Sequence, residues 1–349
     1  MVTVISFFCG CGGSSLGYKL AGCDVRLASD FNPRALETYR MNFPDTVTLL
    51  EDIRNVRGGD VLELAGLGEL DILDGSPPCT PFSMSGDRER TWNRVMMHTG
   101  EHRAQRTDDL FFEYVRLISE IRPRAFVAEN VSGLVKGNAK IYYNEIVSRM
   151  KGAGYAVKPY LLNAADFEVP QSRERVMIVG VRKDIPINGA KLAKHPKISF
   201  LQAVRELPRD AAAEARLTQA MARSFKSAYT HYLRQGEAIS RYHPKGFGFN
   251  FSRVSLHEPC PTVTDNWIIH PTENRRLTLA EVMRCSSFPD WFRFLSEGEG
   301  YMRLANSVPP NLIKNVAKYV IELAGLNGTS GDPKGSGSPR SGSPSSLSP

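Results

Sequence analysis

The chain has 349 residues, of which 42% are hydrophobic and 23% charged, and its formal net charge at pH 7 is +7. These values are typical of a soluble globular protein with one large domain, or a large and a small one. No apolar stretch approaches the roughly 18 residues of a membrane span, and no signal peptide is recognisable at the start. Six cysteines do not make a disulfide framework in a chain of this length, so a reducing, cytoplasmic setting is predicted. The modest basicity favours an anionic partner such as nucleic acid.

The first 30 residues have the pattern of a nucleotide-binding unit. Residues 2–8 predict a strand, a glycine-rich turn follows, and a second strand leads to Asp30. Between them, Ser14 and Gly22 are placed to begin and to end a helix. Glycines let a ligand approach the backbone, and an acid about 20 residues after the first glycine is the expected partner of ribose hydroxyls. The sequence therefore predicts a doubly wound α/β sheet and a cofactor that carries adenosine.

No metal site is predicted. Cys9 and Cys11 lie in the tight glycine turn, where packing of small residues explains them better than metal binding, and there is no Cys-x-x-Cys pair. His98 and His102 are four residues apart but lack a third ligand, so we expect them to be exposed.

The turn that ends at Cys79 is the most informative stretch of the chain. Residues 70–73 predict a short buried strand, which Gly75 and two prolines end abruptly. The thiol then lies where the strands of an open α/β sheet face a ligand crevice. Enzymes that methylate exocyclic amino groups of bases often carry an aromatic ring after the two prolines. An amine is already a nucleophile, whereas an unactivated ring carbon needs the covalent help that a thiolate can give. The thiol therefore indicates methylation of carbon.

The strand–helix alternation continues to about residue 182. A third unit ends at Glu51-Asp52-Ile53, and the strand over 125–128 ends at Glu129. Further elements are predicted over residues 108–121 (a helix with an acidic cap), 140–152, 155–162 and 176–181. The 80–107 segment is too long and polar for an ordinary connection, and a mobile lid and a solvated insertion both fit it.

Residues 183–258 differ in character from the rest. They show no strand–helix alternation and contain 13 Lys or Arg against 6 Asp or Glu. The run 242–251 interleaves bases, glycines and aromatics, which suits a loop-built nucleic-acid surface and equally a minor core. Helices are predicted near 279–285 and from after Pro309-Pro310 to Ala324. Gly, Ser and Pro make up 17 of the 24 residues from 326 onwards, which predicts a disordered tail.

In this order, the motifs resemble those of the DNA cytosine-C5 methyltransferase family, and the resemblance covers nearly everything from Val2 to Ala324 except 183–258. Six blocks carry it: Phe8-Cys-Gly-Cys-Gly-Gly13, Pro77-Pro-Cys-Thr-Pro-Phe-Ser83, Glu129-Asn-Val131, Gln171-x-Arg173-x-Arg175, Arg276-Leu-Thr-Leu-Ala-Glu281 with Ser287-Phe-Pro-Asp290, and Asn306-Ser-Val-Pro-Pro310. The resemblance implies a class I S-adenosylmethionine-dependent methyltransferase domain, Rossmann-like, over 1–182 plus 259–325. It also implies a smaller, irregular target-recognition domain over 183–258, with 326–349 left as the tail.

The resemblance assigns catalytic roles to four side chains. Cys79, as a thiolate, attacks C6 of a cytosine flipped out of duplex DNA, so that C5 can accept a methyl group. Neighbouring cations favour a thiolate, and Arg173 and Arg175 are the candidates. Glu129 is the candidate general acid at N3 of the base. The alternative interpretation of Glu129 is an exposed carboxylate, and that of Arg173 and Arg175 is a surface salt bridge.

The resemblance also assigns the contacts to S-adenosyl-L-methionine. By this resemblance, Asp30 takes the ribose hydroxyls, Phe31 stacks on adenine and Asp52 accepts from the adenine amino group. The methionine and adenosine site is lined by Phe8, Gly10, Gly12 and Gly13, and it is closed by Asn306 and Ser307. The remaining implied contacts are Ile53 and Pro78.

Three hypotheses for the function follow. The first is a monomeric DNA methyltransferase of a bacterial or phage modification system, with a cognate restriction endonuclease encoded nearby and no membrane or metal partner. The second is a relative that methylates cytosine in transfer RNA; its shorter variable region makes the basic 183–258 stretch an argument for DNA. The third is an inactive DNA-binding homologue, which typically loses the nucleophile or the acid, whereas Cys79 and Glu129 are present here.

Overall fold

The computed structural model describes residues 1–78, 109–135, 139–223, 232–242, 251–264 and 268–326, and the backbone of two short strands between the first two ranges. The strands are β1 (Thr3–Phe7), β2 (Asp24–Asp30), β3 (Val47–Leu50), β4 (Ile72–Gly75), β5 (Met96–Met97), β6 (Ala104–Gln105), β7 (Ala125–Val131), β8 (Tyr155–Asn163) and β9 (Glu174–Arg182). The helices are α1 (Gly13–Leu20), α2 (Pro33–Asn42), α3 (Gly58–Leu64), α4 (Leu110–Ile121), α5 (Ala139–Gly152), α6 (Phe200–Val204), α7 (Ala211–Ala222), α8 (Leu279–Cys285), α9 (Glu297–Asn306) and α10 (Pro310–Leu323).

Seven strands form one sheet in the order β3-β2-β1-β4-β7-β9-β8, while β5 and β6 pair separately. The strands from β3 to β7 are mutually parallel, and β9 runs antiparallel to both of its neighbours. The strand order reverses between β1 and β4, which in open α/β sheets is where ligands bind, beyond the carboxyl ends of the strands. The predicted Rossmann-like α/β fold is therefore confirmed. Because β9 is antiparallel, its first residues lie at this same edge.

Helix α1 follows the glycine turn, but its cap is not the predicted one. The residue that caps it is Gly12, whose φ of 101° is left-handed, and no side chain bonds to the free N–H groups. Ser14 lies inside the helix and is buried, so the prediction that it caps α1 was wrong. Gly22, with a φ of 84°, does end the helix, because its N–H bonds to Lys19 O and the next N–H to Tyr18 O.

Other local features differ from the predictions for identifiable reasons. Asp109 is the N-cap residue of α4, as the predicted acidic cap requires, but its side chain makes no cap bond and instead forms an ion pair of 2.7 Å with Arg54. Helix α7 was missed inside the irregular region, although Asp210 caps it by accepting from Ala213 N–H. Helix α9 was missed because few of its residues are apolar; it begins at a Ser296 cap followed by acids, which favour a helix N-terminus.

Buried residues form one core on each face of the sheet. Helices α1 and α10 cover one face, and α3, α4 and α5 cover the other. A third cluster joins α2, α8 and α9 and includes Phe200 and Val254, so part of the 183–258 region packs on the main body. Phe251 belongs to a small separate cluster, whereas Tyr242 at the other end of the 242–251 run is exposed. None of the described helices combines the length and apolar character needed to cross a membrane.

Several predicted features lie outside the described residues. They are the 80–107 lid apart from β5 and β6, Cys79 itself, most of the aromatic run (243–250) and the tail from residue 327.

Close packing of α1 on α10 gives a test of the fold. A Cβ atom at Gly17 would lie 2.5 Å from Pro310 O and 2.6 Å from Ile313 Cβ. We expect Gly17→Ala to lower the free energy of unfolding by about 1–3 kcal/mol, the usual cost of overpacking, measured by urea denaturation. Gly59→Ala is the control, because nothing lies within 4 Å of its Cβ position; it should be neutral or slightly stabilising. Equal stability of Gly17→Ala and the unmodified protein would contradict this packing.

Candidate active site at the carboxyl edge of the sheet

A cavity lies where β1, β2 and β3 end. Five residues predicted to contact the cofactor line it together: Phe8, Asp30, Phe31, Asp52 and Ile53. Four more residues that sequence reasoning did not select complete the lining: Phe7, Ser29, Glu51 and Leu110. Glu51 could have been predicted from the sequence, because it directly precedes Asp52. Leu110 could not, because it is the first residue of α4 and only the topology of the fold places it in this cavity.

The glycine turn is fastened to the end of β2. Gly10 N–H donates to Asp30 Oδ2 at 2.9 Å, and Asn32 N–H donates to Asp30 Oδ1 at 2.9 Å. Burial raises the pKa of the Asp30 carboxyl, and these two hydrogen bonds and the charge of Arg303 partly offset that effect. An ionised carboxylate has about four acceptor sites, so Asp30 can still accept from ribose hydroxyls.

The three predicted glycines differ in what surrounds them. A Cβ atom at Gly10 would meet nothing within 4 Å, so this part of the turn leaves space for a ligand. At Gly12 the added atom would lie 2.3 Å from the Phe43 ring, and at Gly13 it would lie 2.4 Å from Val308 O. The last two glycines therefore let the turn pack closely on α2 and on the segment before α10.

Asp52 is held by a basic neighbour. Its carboxylate caps the short 3-10 helix Ile53–Asn55 by accepting from Arg54 N–H and forms an ion pair of 2.9 Å with Arg54 Nη1. The other end of that guanidinium pairs with Asp109 at 2.7 Å, just before α4. Arg54 thus joins the segment after β3 to the start of α4.

The turn that carries the predicted nucleophile is held by the end of β7. Asn130 Nδ2 donates to Pro77 O at 3.0 Å, and both groups are buried. Gly75 is required before the turn, because a Cβ atom there would lie 2.4 Å from the Tyr114 ring. Pro78 is the last described residue of this turn, and Cys79 lies outside the described residues. Asn130 was part of a recognised motif, but sequence reasoning gave it no role.

Glu129 and Arg175 form an ion pair at the same edge. Glu129 Oε1 lies 2.9 Å from Arg175 Nε, and their side chains are only 11% and 13% exposed. The pair forms because β7 and β9 are antiparallel neighbours, with Val131 opposite Arg175. Burial lowers the pKa of Arg175, which the charge of Glu129 partly offsets. These two residues are therefore neither an exposed carboxylate nor part of a surface salt bridge.

Arg173 lies deeper than Arg175 and is 3% exposed. It donates to two backbone carbonyl oxygens, those of Val263 and Ala305. Burial and the like charge of Arg175 lower the pKa of Arg173 well below its usual range.

The predicted closing residues lie at the end of α9. Asn306 is the exposed last residue of that helix, and Ser307 follows it as the C-cap. The Ser307 hydroxyl lies 3.1 Å from the Cys11 thiol, so the glycine turn contacts this segment directly.

Asp74 is a buried acid beneath the site that sequence reasoning did not select. It accepts from Ser6 Oγ at 2.7 Å and from Tyr18 Oη at 3.2 Å. Burial raises the pKa of Asp74 to about 7, hydrogen bonds oppose the shift, and the nearby charge of Glu129 adds to it.

Within the described ranges, no three His, Cys, Asp or Glu side chains are grouped so that they could hold a metal ion. The strand order, the glycine turn with its acidic partner and the charged pair at the strand ends define a Rossmann-like domain with its candidate ligand site beyond the carboxyl ends of the strands.

Comparisons with known proteins agree with this class. A family model described as C-5 cytosine-specific DNA methylase matches residues 2–322. Type II methyltransferase M.NgoFVII of Neisseria gonorrhoeae is 31% identical over 349 aligned residues, covering 92% of this chain and 86% of the relative. M1.HphI of Haemophilus parahaemolyticus, also named a Type II methyltransferase, is 31% identical, with 92% and 87% covered. The chain therefore belongs to the C-5 cytosine-specific DNA methylase family.

Solved structures share the fold. A protein of an Escherichia coli prophage, described as a DNA modification methyltransferase, has a TM-score of 0.73 at 23% identity, covering 94% of this chain and all of that one. Spodoptera frugiperda DNMT2 has a TM-score of 0.64 at 16% identity, covering 92% of this chain and all of that one. At these identities the likeness concerns the fold alone.

The buried Asp74 predicts a pH-dependent stability. Its folded-state pKa is about 7, above the roughly 3.9 of an unfolded chain, so its stabilising contribution is complete below about pH 4 and is lost as the pH rises through about 7. Asp74→Asn removes this loss. We expect the variant to gain roughly 1–4 kcal/mol of unfolding free energy relative to the unmodified protein between pH 4 and pH 8, measured by urea denaturation. The exposed Asp45 offers Asp45→Asn as a control. A stability difference that does not change with pH would contradict the assignment.

Proposed function

We propose that the protein methylates C5 of a flipped-out cytosine in a specific duplex DNA sequence, with S-adenosyl-L-methionine as donor and a covalent bond between Cys79 and C6 as intermediate. The observation that carries the proposal is the buried Glu129–Arg175 pair beside the turn that Asn130 holds. The chain continues from this turn into Cys79. A buried acid and cation next to a candidate nucleophile are typical of a catalytic site.

The described residues fit the cofactor. Gly10 leaves open space, Asp30 presents acceptor sites, and Phe31 and Ile53 offer apolar surface in the same cavity. We assign the ribose hydroxyls to Asp30, the adenine ring to Phe31 and Ile53, and its amino group to Asp52. Phe8, the glycine turn, Pro78, Asn306 and Ser307 are assigned to the methionine end. When bound, S-adenosyl-L-methionine supplies an electrophilic methyl group on its sulfonium sulfur.

The chemistry of the base is assigned to three side chains. The Cys79 thiolate adds to C6, which places electron density on C5 and negative charge towards N3. Glu129 delivers a proton at N3, a general-acid step worth typically 10²–10⁴-fold in rate. Arg175 holds the Glu129 carboxyl in place, and its charge favours the thiolate. After methyl transfer, N3 returns its proton to the Glu129 carboxylate and the C5 proton leaves to water. The electrons of the C5–H bond then expel Cys79 from C6 as a thiolate, which restores the aromatic ring and the nucleophile.

Duplex DNA is the proposed substrate, and 183–258 the proposed target-recognition domain. Arg205, Arg209 and Arg216 in that region each form an ion pair with a glutamate, yet their side chains are 68%, 75% and 62% exposed and so remain accessible to phosphates. A stacked cytosine cannot reach a strand-end crevice, so it must be flipped out at a cost of a few kcal/mol. The 80–107 segment is assigned to the lid that closes over it.

The biological setting follows from the relatives, which are named Type II methyltransferases. We propose a cytoplasmic monomer of a bacterial or phage modification system, with a cognate restriction endonuclease as its partner in that system.

Labelled cofactor tests both the substrate and the nucleophile. With a methyl-labelled donor, we expect label in duplex DNA and none in transfer RNA. Cys79→Ser should lower the rate by at least about 10³-fold, because a hydroxyl is a much weaker nucleophile than a thiolate, while calorimetry still detects cofactor binding. Cys23→Ala is the matched control, since Cys23 is buried away from the site, and should retain the activity. Label in transfer RNA alone, or full activity of Cys79→Ser, would contradict the proposal.

A further inference from the structure

The side chains of Gln171 and Arg173, just before β9, bind the backbone of Val263, which follows the 183–258 region. Gln171 Oε1 accepts from Val263 N–H at 3.1 Å, and Arg173 Nη1 donates to Val263 O at 2.9 Å. Gln171 is 1% exposed and Arg173 is 3% exposed. Both backbone groups of Val263 are thus bound by side chains, where a neighbouring strand would ordinarily supply the partners.

Three further hydrogen bonds fix the register of the two segments. Cys260 N–H donates to Pro170 O at 2.9 Å, and Ser172 N–H donates to Cys260 O at 2.8 Å. The Thr262 hydroxyl donates to Ser172 O at 2.7 Å. The returning chain therefore joins the main body next to the start of β9, which carries Arg175.

The same side chains also reach the two helices that follow. Gln171 Nε2 donates to Ser286 Oγ at 3.2 Å, directly after α8. Arg173 Nη2 donates to Ala305 O at 2.7 Å, one residue before Asn306. The guanidinium of Arg173 therefore spans two segments, one next to the proposed recognition domain and one next to the proposed cofactor site.

The partners of Arg173 favour a geometric role over a purely electrostatic one. Both of these bonds end on neutral backbone oxygens, and its Nε has no hydrogen-bond partner among the described residues. Burying a cation against uncharged groups costs free energy, and a point charge alone would not need two carbonyls in these directions. A planar guanidinium can bind both at once, whereas a lysine ammonium cannot reproduce that fork.

We propose that Arg173 is a positioning residue. It fixes the Val263 segment and the last turn of α9, at Ala305, in place relative to the Glu129–Arg175 pair. The inference rests on the proposed function, because the two segments matter as neighbours of the DNA and cofactor sites. It differs from the sequence-based expectation, in which Arg173 serves as a cation beside the thiolate.

Replacing Arg173 by lysine separates geometry from charge. We expect Arg173→Lys and Arg173→Gln to lower kcat/KM for duplex DNA by similar factors of about 10–100-fold, since small misplacements of a site have effects of this size. The pH at which the rate reaches half its maximum should stay that of the unmodified enzyme in both variants. Arg149→Lys, on the exposed surface of α5, should behave as the unmodified enzyme. Recovery of activity in Arg173→Lys, or a pH shift in Arg173→Gln that lysine reverses, would overturn the proposal.

Hydrogen exchange provides a readout that needs no activity. In the free protein, Arg173→Lys should accelerate exchange of the hydrogen-bonded backbone amides of Cys260 and Val263 by about tenfold or more, while the amides of β1 keep their protection. If the Arg173 variants do not fold, Gln171→Met tests the same contact, since it removes the acceptor of Val263 N–H, and it should show the same local acceleration. Unchanged exchange at Cys260 and Val263 would refute the positioning role. An unmodified protein that methylates no DNA would refute the proposed function instead.

Discussion

The hydrogen bond from Asn130 Nδ2 to Pro77 O joins the ends of β4 and β7, and the arrangement of the site depends on it. The sheet places these strands side by side, and Pro77 and Pro78 in the turn after β4 have no backbone N–H to donate. Asn130 supplies a fixed partner from the neighbouring strand. Because Glu129 directly precedes Asn130, the same strand end sets the place of the turn and of the proposed acid. The antiparallel β9 then brings Arg175 to that acid.

The charged side chains at the carboxyl edge of the sheet are largely buried. Glu129 and Arg175 face each other, Arg173 lies behind them, and Asp74 lies beneath them in the sheet. In such surroundings, electrostatic interactions are several-fold stronger than at the surface. The raised pKa of Asp74 and the lowered pKa values of the two arginines have the same main cause, which is burial. Such an arrangement destabilises the fold and is expected where charge has to be stabilised during a reaction.

The sequence predicted the sheet well because alternation of strands and helices is a local property. The strand ends at Asp30, Asp52 and Glu129 could be recognised for the same reason, and the first two line one cavity. The contacts of Asn130 and Arg173 could not be predicted, since each joins segments far apart in the chain whose approach depends on the whole topology. The wrong cap at Ser14 has another cause: the glycine turn enters α1 in a left-handed conformation, which favours Gly12 at the cap.

The proposed mechanism depends on a bond between the thiol of Cys79 and C6 of the target cytosine. Duplex DNA that contains 5-fluorocytosine tests it, because fluorine cannot leave C5 as the proton does and the thiol then cannot be released. With S-adenosyl-L-methionine present, we expect a permanent protein–DNA adduct that mass spectrometry of peptides locates at Cys79. Methylation of ordinary duplex DNA without any adduct on the fluorinated duplex would contradict this mechanism.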